Sequence, residues 1–384
     1  MGNPGFYEFF CGGGMARAGL ENRWTCLFAN DFDVRKGRAY AANWGAEALK
    51  IADVASLATA DLPGEAALAW ASFPCQDLSL AGSGAGLDGA RSGAFWPFWR
   101  LMLKLREERR APRLIALENV CGALTSHGGK DFVAIAGAIA GAGYRLGALV
   151  IDAADFVPQS RPRLFIVAVR ADIPISPALV AAHADERWHT PALCNAHARL
   201  GETAREAWLW WKLPAPPARN NRLADILEDR AEVLGWHTSA QTAKLLALMN
   251  PLHRAKVAAA KHSGAFRVGA VFRRTRVDEA GIRRQRAEVR FDDLAGCLRT
   301  PAGGSSRQIL VILCDGGVRS RLLSGREAAR LMGLSDDYRL PERANETLHL
   351  IGDGVAAPVV RYLSDHLLTP LIGAEASRGL QAAE

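Results

Sequence analysis

The chain has 384 residues, 49% hydrophobic and 23% charged, the composition of a soluble globular enzyme with two or three domains' worth of core. No run of about 18 apolar residues occurs, so a membrane-spanning helix is not expected, and MGNPGFYEFF has neither the basic start of a signal peptide nor, with Phe at position 6, a myristoylation pattern. Net charge is +7, and it is concentrated: between Arg254 and Arg290 stand eleven Lys or Arg against three acids, which suits a polyanionic partner or a solvated basic face.

In chain order, a strand is expected over 6–10, then Gly12-Gly13-Gly14 and a short helix over 15–21. A second strand over 24–29 leads to Asp31 and Asp33 and a helix to about 43; a third strand covers 68–72. That strand ends in Pro74-Cys75-Gln76, and a segment rich in glycine (Gly82, Gly84, Gly86, Gly89) follows it. A helix over 95–108, a strand over 114–117, a helix over 132–141 and strands over 144–151 and 164–169 complete the first half. Such alternation predicts an α/β fold, a doubly wound and mostly parallel sheet covered on both faces. Functional residues then belong at the carboxyl ends of the strands, where Asp31, Asp53, Cys75 and Glu118 fall.

From position 173 the alternation stops. Two proline-rich breaks flank AWLWWK, whose Trp208, Trp210 and Trp211 are expected in the core of a second domain. The seven cysteines are irregularly spaced with no C-x-x-C pair, which argues against a disulfide framework and a structural zinc and for a reducing cytoplasm. No metal site is expected. FFCGGG, between a strand and a helix, lets a ligand approach the backbone closely, but Arg17 stands where the dinucleotide fingerprint needs glycine. The cluster alone fits a nucleoside cofactor or a tight turn. Taken singly, Cys75 in FPCQ suits a core thiol, Glu118 in ALENV a helix cap, and Arg161 and Arg163 in QSRPR surface ion pairs.

Together and in this order, these segments resemble the DNA cytosine-5 methyltransferase family of bacterial restriction-modification systems. FFCGGG, ANDFD, DVASL, FPCQ, ENV, QSRPR, SGREAARLMGL and GDGVAAPVV all match, so the resemblance spans the chain except about 172–290. It implies the Rossmann-like fold of S-adenosylmethionine-dependent methyltransferases with a smaller target-recognition domain. The catalytic and cofactor domain would cover 1–175, completed by 342–384, with target recognition over 176–322 and a hinge over 323–341. The implied reaction moves a methyl group from S-adenosylmethionine to carbon 5 of cytosine in a specific double-stranded DNA sequence.

The same resemblance assigns residue roles. Cys75 would add to carbon 6, Glu118 would share a proton with ring nitrogen 3, and Arg161 and Arg163 would lie close to the base. Burial beside Leu117 and Val120 is expected to raise the Glu118 pKa. Phe10, Gly12, Gly13, Gly14, Asp31, Phe32, Asp53, Val54 and Pro74 would hold the cofactor, with Asp31 on the ribose, Phe32 on the adenine face and Asp53 on its amino edge. Asn119 and Gln159 would support the base pocket. Gln76, Ser79 and Ser83 would act where the base is extruded, the glycine-rich segment closing over DNA. Arg273, Arg274 and Arg276 would contact phosphates or guanine edges. Asp31 stands where many relatives carry Glu, Phe32 replaces a frequent Trp, and Asp353 stands where some members carry Asn. The expected setting is a monomer in the bacterial cytoplasm, on the nucleoid, with a cognate restriction endonuclease. Competing readings are a tRNA cytosine methyltransferase, a nicotinamide oxidoreductase using the glycine loop, and a catalytically silent DNA-binding relative.

Overall fold

The computed structural model describes residues 2–21, 23–74, 94–228, 235–277, 281–300, 307–314 and 316–373. Cys75, Gln76, Ser79, Ser83 and the glycine-rich segment lie outside them. By its internal contacts the chain divides into two compact units: 1–152, 162–216 and 359–384 form one, and 153–161 with 217–358 the other.

The first unit is built on a seven-stranded sheet. Its strands are β1 (Gly5–Phe9), β2 (Thr25–Asp31), β3 (Leu49–Ile51), β4 (Leu68–Ala71), β5 (Leu114–Val120), β6 (Tyr144–Asp152) and β7 (Pro162–Arg170), in the order β3-β2-β1-β4-β5-β7-β6. The strands from β3 to β5 are parallel, whereas β7 runs antiparallel to both β5 and β6. Helices α1 (Met15–Leu20), α2 (Val34–Trp44), α3 (Phe95–Glu107) and α4 (Lys130–Gly141) accompany it. The sequence LAWA of β4 is buried throughout, as a strand covered on both faces must be. Asp33 caps α2 by accepting a hydrogen bond from the Arg35 amide at 2.8 Å. β3 escapes the sequence reading because three residues with two of them exposed carry no periodic signal. β5 runs three residues further than its apolar stretch, so Glu118 and Asn119 are strand residues, held by pairing with Phe165 and Leu164 of β7.

The tryptophan-rich segment belongs to this first unit, not to the core of a second. Short strands β8 (Val180–Ala181) and β9 (Trp210–Trp211) pair with each other, and α5 (Pro191–His197) and α6 (Glu202–Glu206) lie between them in sequence. Leu146 of β6 donates its amide to the Ala207 carbonyl and accepts from Leu209, while Trp211 donates to the Val167 carbonyl at 3.1 Å. Trp208 lies in the main core cluster, its ring 6.1 Å from that of Phe132. By internal contacts this segment, up to 216, groups with the first unit.

The second unit has a four-stranded antiparallel sheet, β11-β10-β12-β13, from β10 (Arg267–Val277), β11 (Arg283–Arg290), β12 (Ile309–Cys314) and β13 (Gly317–Leu322). Its core joins Val271, Ala287, Val289, Val311 and Leu313 to Leu245, Met249 and Val257, contributed by and next to α7 (Ser239–Ala247) and α8 (Pro251–His262). α9 (Gly325–Arg330) and α10 (Ala344–Asp353) also belong here. Thr347 of α10 seats its methyl where a side chain at Gly325 would stand, and 342–358 groups with this unit by internal contacts. Within it Arg321 and Glu327 form a fully buried ion pair, Nη1 to Oε2 2.7 Å.

Candidate active site

β1 ends in a backbone that ordinary residues avoid. Phe10 has φ +56°, Gly12 +55° and Gly14 +76°, so the chain makes a tight left-handed passage before α1 begins at Met15. Gly14 is required sterically: a Cβ there would lie 2.4 Å from the Trp44 indole nitrogen, which itself donates to the Gly13 carbonyl. Gly12 is different, since a Cβ on it would meet nothing within 4 Å. Its missing side chain leaves open space beside the loop.

Asp31, at the carboxyl end of β2, braces this loop. One of its oxygens accepts the Gly12 amide at 2.8 Å and the other the Asp33 amide at 2.9 Å. Burial holds its carboxyl above the ordinary value, although both hydrogen bonds oppose that shift. Asn30 beside it donates to the carbonyls of Lys50 and Ala52 and so fixes the turn leading to Asp53. Asp53 accepts from the Ala55 amide at 2.8 Å, and Val54 is buried. Phe32 is 68% exposed, a large apolar ring left mostly open to solvent.

An open space beside a positive-φ glycine, an exposed aromatic ring and two carboxylates ordered by backbone amides fit an adenosyl group carrying a cationic sulfur. The residues expected to hold S-adenosylmethionine around this loop are thus gathered at the carboxyl ends of β1 and β2 and the segment after β3.

One acid in this neighbourhood escapes the sequence reading. Glu8 lies in β1, 1% exposed, with one oxygen 3.3 Å from the Arg17 amide and the other, Oε2, without a hydrogen-bond partner. Burial pushes its carboxyl up to about 8. The signal was a lone charge in the apolar run GFYEF. Arg17 stacks beneath the loop on Trp44 and Tyr40, its carbon 5.1 and 5.6 Å from the two rings.

The second cluster forms where β5 meets β7. Glu118 is 6% exposed, and the Arg163 guanidinium Nε lies 3.2 Å from its Oε1. The antiparallel register sets Arg163 opposite Val120, so two residues 45 positions apart meet at the strand end. Asn119 donates to the Phe73 carbonyl at 3.0 Å and accepts the Val120 amide. That bond ties the end of β5 to the segment that runs through Pro74 to Cys75.

Arg161 and Gln159 are held by backbone groups of the second unit. Arg161, 2% exposed, donates to the carbonyls of Leu298, Gly352 and Gly354 at 2.8, 2.8 and 2.6 Å and lies 3.4 Å from the Cys297 sulfur. Gln159, fully buried, donates to the Leu331 carbonyl at 2.7 Å and accepts the Leu298 amide at 3.0 Å. Both are backbone clamps within the second unit: a guanidinium spent on carbonyl oxygens is held for architecture. Arg273 is half-buried near His237, where it helps hold that imidazole below its ordinary pKa after the larger effect of burial; Arg274 is exposed, and Arg276 stands opposite Arg284 in the β10–β11 register.

Comparison with known proteins identifies the family. The family model of C-5 cytosine-specific DNA methylases matches residues 5–369. The type II methyltransferase M.NgoBI of Neisseria gonorrhoeae is 24% identical over 92% of this chain and 89% of its own length. M.BsuFI of Bacillus subtilis is 32% identical over 44% of this chain, a match that spans 40% of that protein. Among solved structures, the S. pombe Dnmt2 methyltransferase has a TM-score of 0.59 at 16% identity, covering 96% of this chain and 99% of its own. A putative DNA modification methyltransferase encoded within an E. coli prophage gives a TM-score of 0.55 at 16% identity, over 97% of this chain and all of that one; at such identities the likeness is one of fold. No helix among the described residues is long and apolar enough to cross a membrane. The glycine loop braced by Asp31 and the Glu118–Arg163 pair at the sheet's carboxyl edge stand in a chain that belongs to the C-5 cytosine-specific DNA methylase family, whose reaction is methyl transfer from S-adenosylmethionine to carbon 5 of cytosine in DNA.

Proposed function

We propose that this chain methylates cytosine within one specific sequence of double-stranded DNA, as the modification enzyme of a restriction-modification system, through a transient bond between Cys75 and an extruded base. The observation that carries this reading is the Asn119 to Phe73 hydrogen bond, which ties the strand holding Glu118 to the segment leading into Cys75. It supports a nucleophile and a proton-sharing carboxyl acting on one ring.

Carbon 5 of cytosine is too electron-poor to take up a methyl group unaided. Addition of the Cys75 thiolate to carbon 6 converts the ring to an enamine, while the Glu118 carboxyl gives its proton to ring nitrogen 3. S-adenosylmethionine supplies, when bound, an electrophilic methyl on sulfur. Carbon 5 would take up that methyl, the donor sulfur keeping the electron pair of the broken bond as a neutral thioether; a base would then remove the carbon 5 proton, the double bond would reform as the thiolate leaves, and ring nitrogen 3 would return its proton to Glu118. Arg163 orients Glu118 and offers its remaining N–H groups to the base oxygen. Arg161 and Gln159 act as positioning residues that hold backbone in place. A stacked duplex hides carbon 6, so the base must leave the helix at a cost of about a few kcal/mol; Gln76, Ser79 and Ser83 follow Cys75 closely enough to serve there. The enzyme acts as a monomer in the cytoplasm, on the nucleoid, beside a cognate endonuclease.

Bisulfite sequencing of DNA from cells expressing the protein reads substrate and motif together. A duplex carrying 5-fluorocytosine at that motif should give a gel-stable adduct, because fluorine blocks the last proton removal. An active enzyme that forms no adduct would exclude the thiolate route.

A further inference from the structure

The second unit holds a cleft of about 490 Å³ beside α8 and the β10–β11 pair, a size usual for small-molecule sites. One wall is helical: Lys256, Ala259, Ala260 and Ser263 follow i, i+3, i+4 and i+7 spacing and so share one face of α8 and its end. Val257 enters the core instead, which leaves only alanine methyls in the middle of this wall. The other wall comes from Arg267, Arg290, Phe291 and Asp292. The β10–β11 register ends with Ala270 opposite Arg290, and the Phe291 ring then lies over Gly269. A Cβ on Gly269 would stand 2.5 Å from that ring, so glycine there is what admits an aromatic wall.

Three cations and one acid line the cleft. Asp292 accepts two hydrogen bonds from Arg290, at 2.6 and 2.5 Å, so that pair satisfies itself. Lys256 and Arg267 are left over: among the described residues neither side chain has a hydrogen-bond or ion-pair partner. Two like charges on one hollow repel each other unless an anion lies between them. Ser263 donates its hydroxyl to the Ala260 carbonyl at 2.7 Å, and its oxygen can still accept.

We propose that this cleft binds a free nucleoside monophosphate. A phosphate monoester carries nearly two negative charges at neutral pH, which answers Lys256 and Arg267 together. The base lies against Phe291 and the methyls of Ala259 and Ala260, and a sugar hydroxyl donates to Ser263. A carboxylate would bring one charge to two cations. A phosphate within a duplex is a diester with a single charge, and its base is stacked inside the helix, which would leave Phe291 unused.

The test is calorimetric titration of AMP and GMP into the full chain, without S-adenosylmethionine or DNA, so that the result does not depend on the methyl-transfer reading. One nucleotide should bind per chain. Adenosine and inorganic phosphate should each bind at least about tenfold more weakly, since each lacks one set of contacts. Lys256→Gln and Arg267→Gln should each weaken nucleotide binding by about tenfold or more, the loss of a hydrogen bond to a charged group. Lys261→Gln, which changes a cation of α8 outside the cleft, should leave affinity unchanged. No binding of either nucleotide, equal binding of inorganic phosphate, or wild-type affinity in either cleft variant overturns the proposal. Displacement of AMP by an unphosphorylated duplex would make the cleft part of a DNA-binding face and overturn it too. Lys256 and Arg267 are exposed, so unfolding midpoints should hold. If one midpoint falls, the other variant carries the test; a fall in both would make the two cations structural and overturn the site.

Discussion

The glycine-loop and carboxylate region of the first unit and the β10–β11 hairpin of the second treat charge in opposite ways. In the first, Glu8, Asp31, Glu118 and Asn119 are buried, and most of their polar atoms are committed to backbone amides or to Arg163. In the second, Arg274, Arg283 and Arg284 stand in water. Chemistry on a bound base gains from groups that are already fixed and need no solvent to reorganise. Recognition of a polyanion gains from charges that release counterions on contact. Arg161 and Arg163 bring the contrast to two positions apart in sequence: one guanidinium is spent on three carbonyls, the other lies on Glu118.

The largest effect should come from Cys75→Ser. Methyl transfer should fall by at least about 10³-fold, with cofactor affinity measured by calorimetry nearly unchanged. Full activity would remove the sulfur from the reaction. Next, Arg161→Ala and Arg163→Ala should separate the two guanidiniums. Loss of Arg161 removes the donors to three carbonyls, that of Leu298 buried, and should lower stability by about 3–5 kcal/mol in denaturant titrations. Loss of Arg163 should instead lower kcat with little change in unfolding midpoint. If both variants lose stability equally, the division between clamp and reacting pair fails.

Glu8 predicts a pH dependence of unfolding. Burial raises its folded carboxyl from 4.5 to about 8, so the folded chain holds the proton more tightly than the unfolded one. The stability tied to this group is complete below about pH 4.5, falls as pH rises toward 8, and levels off above. The fall is on the order of a few kcal/mol. Glu8→Gln should flatten that decline, and a variant with the wild-type slope would show that Glu8 is not its source. Asp31, raised for the same reason, contributes in the same direction at the acid end.

Gly12→Ala should cost about 1–2 kcal/mol for its positive φ. Its new methyl enters the open space beside the loop, so cofactor affinity should fall too; unchanged affinity would place the adenosyl group elsewhere. The smallest effect on stability belongs to Phe32→Ala, below about 0.5 kcal/mol because the ring is exposed. Cofactor affinity should still drop, and a drop absent from titration calorimetry would leave the exposed ring without a ligand.

Much of this site was legible because its chemistry is local. FFCGGG needs glycine at Gly14, where Trp44 leaves no room, and the succession of strands and helices along the chain follows from repeated apolar runs. Glu118 was legible by type and position, but its partner was not: Arg163 reaches it only because β7 returns antiparallel beside β5. Trp208 to Trp211 read as a new core because aromatic density says that rings are buried without saying against what. Glu8 was passed over since a single acid in an apolar run has no period.

By itself the amino-acid order determined the α/β class and the family, since these depend on residue type, short-range spacing and hydrophobic periodicity. The tertiary structure alone decided which of two neighbouring arginines meets the carboxylate and where the units divide. Each of these depends on strand register and on competition for buried surface, which act between residues far apart in the chain and leave no mark on any one segment.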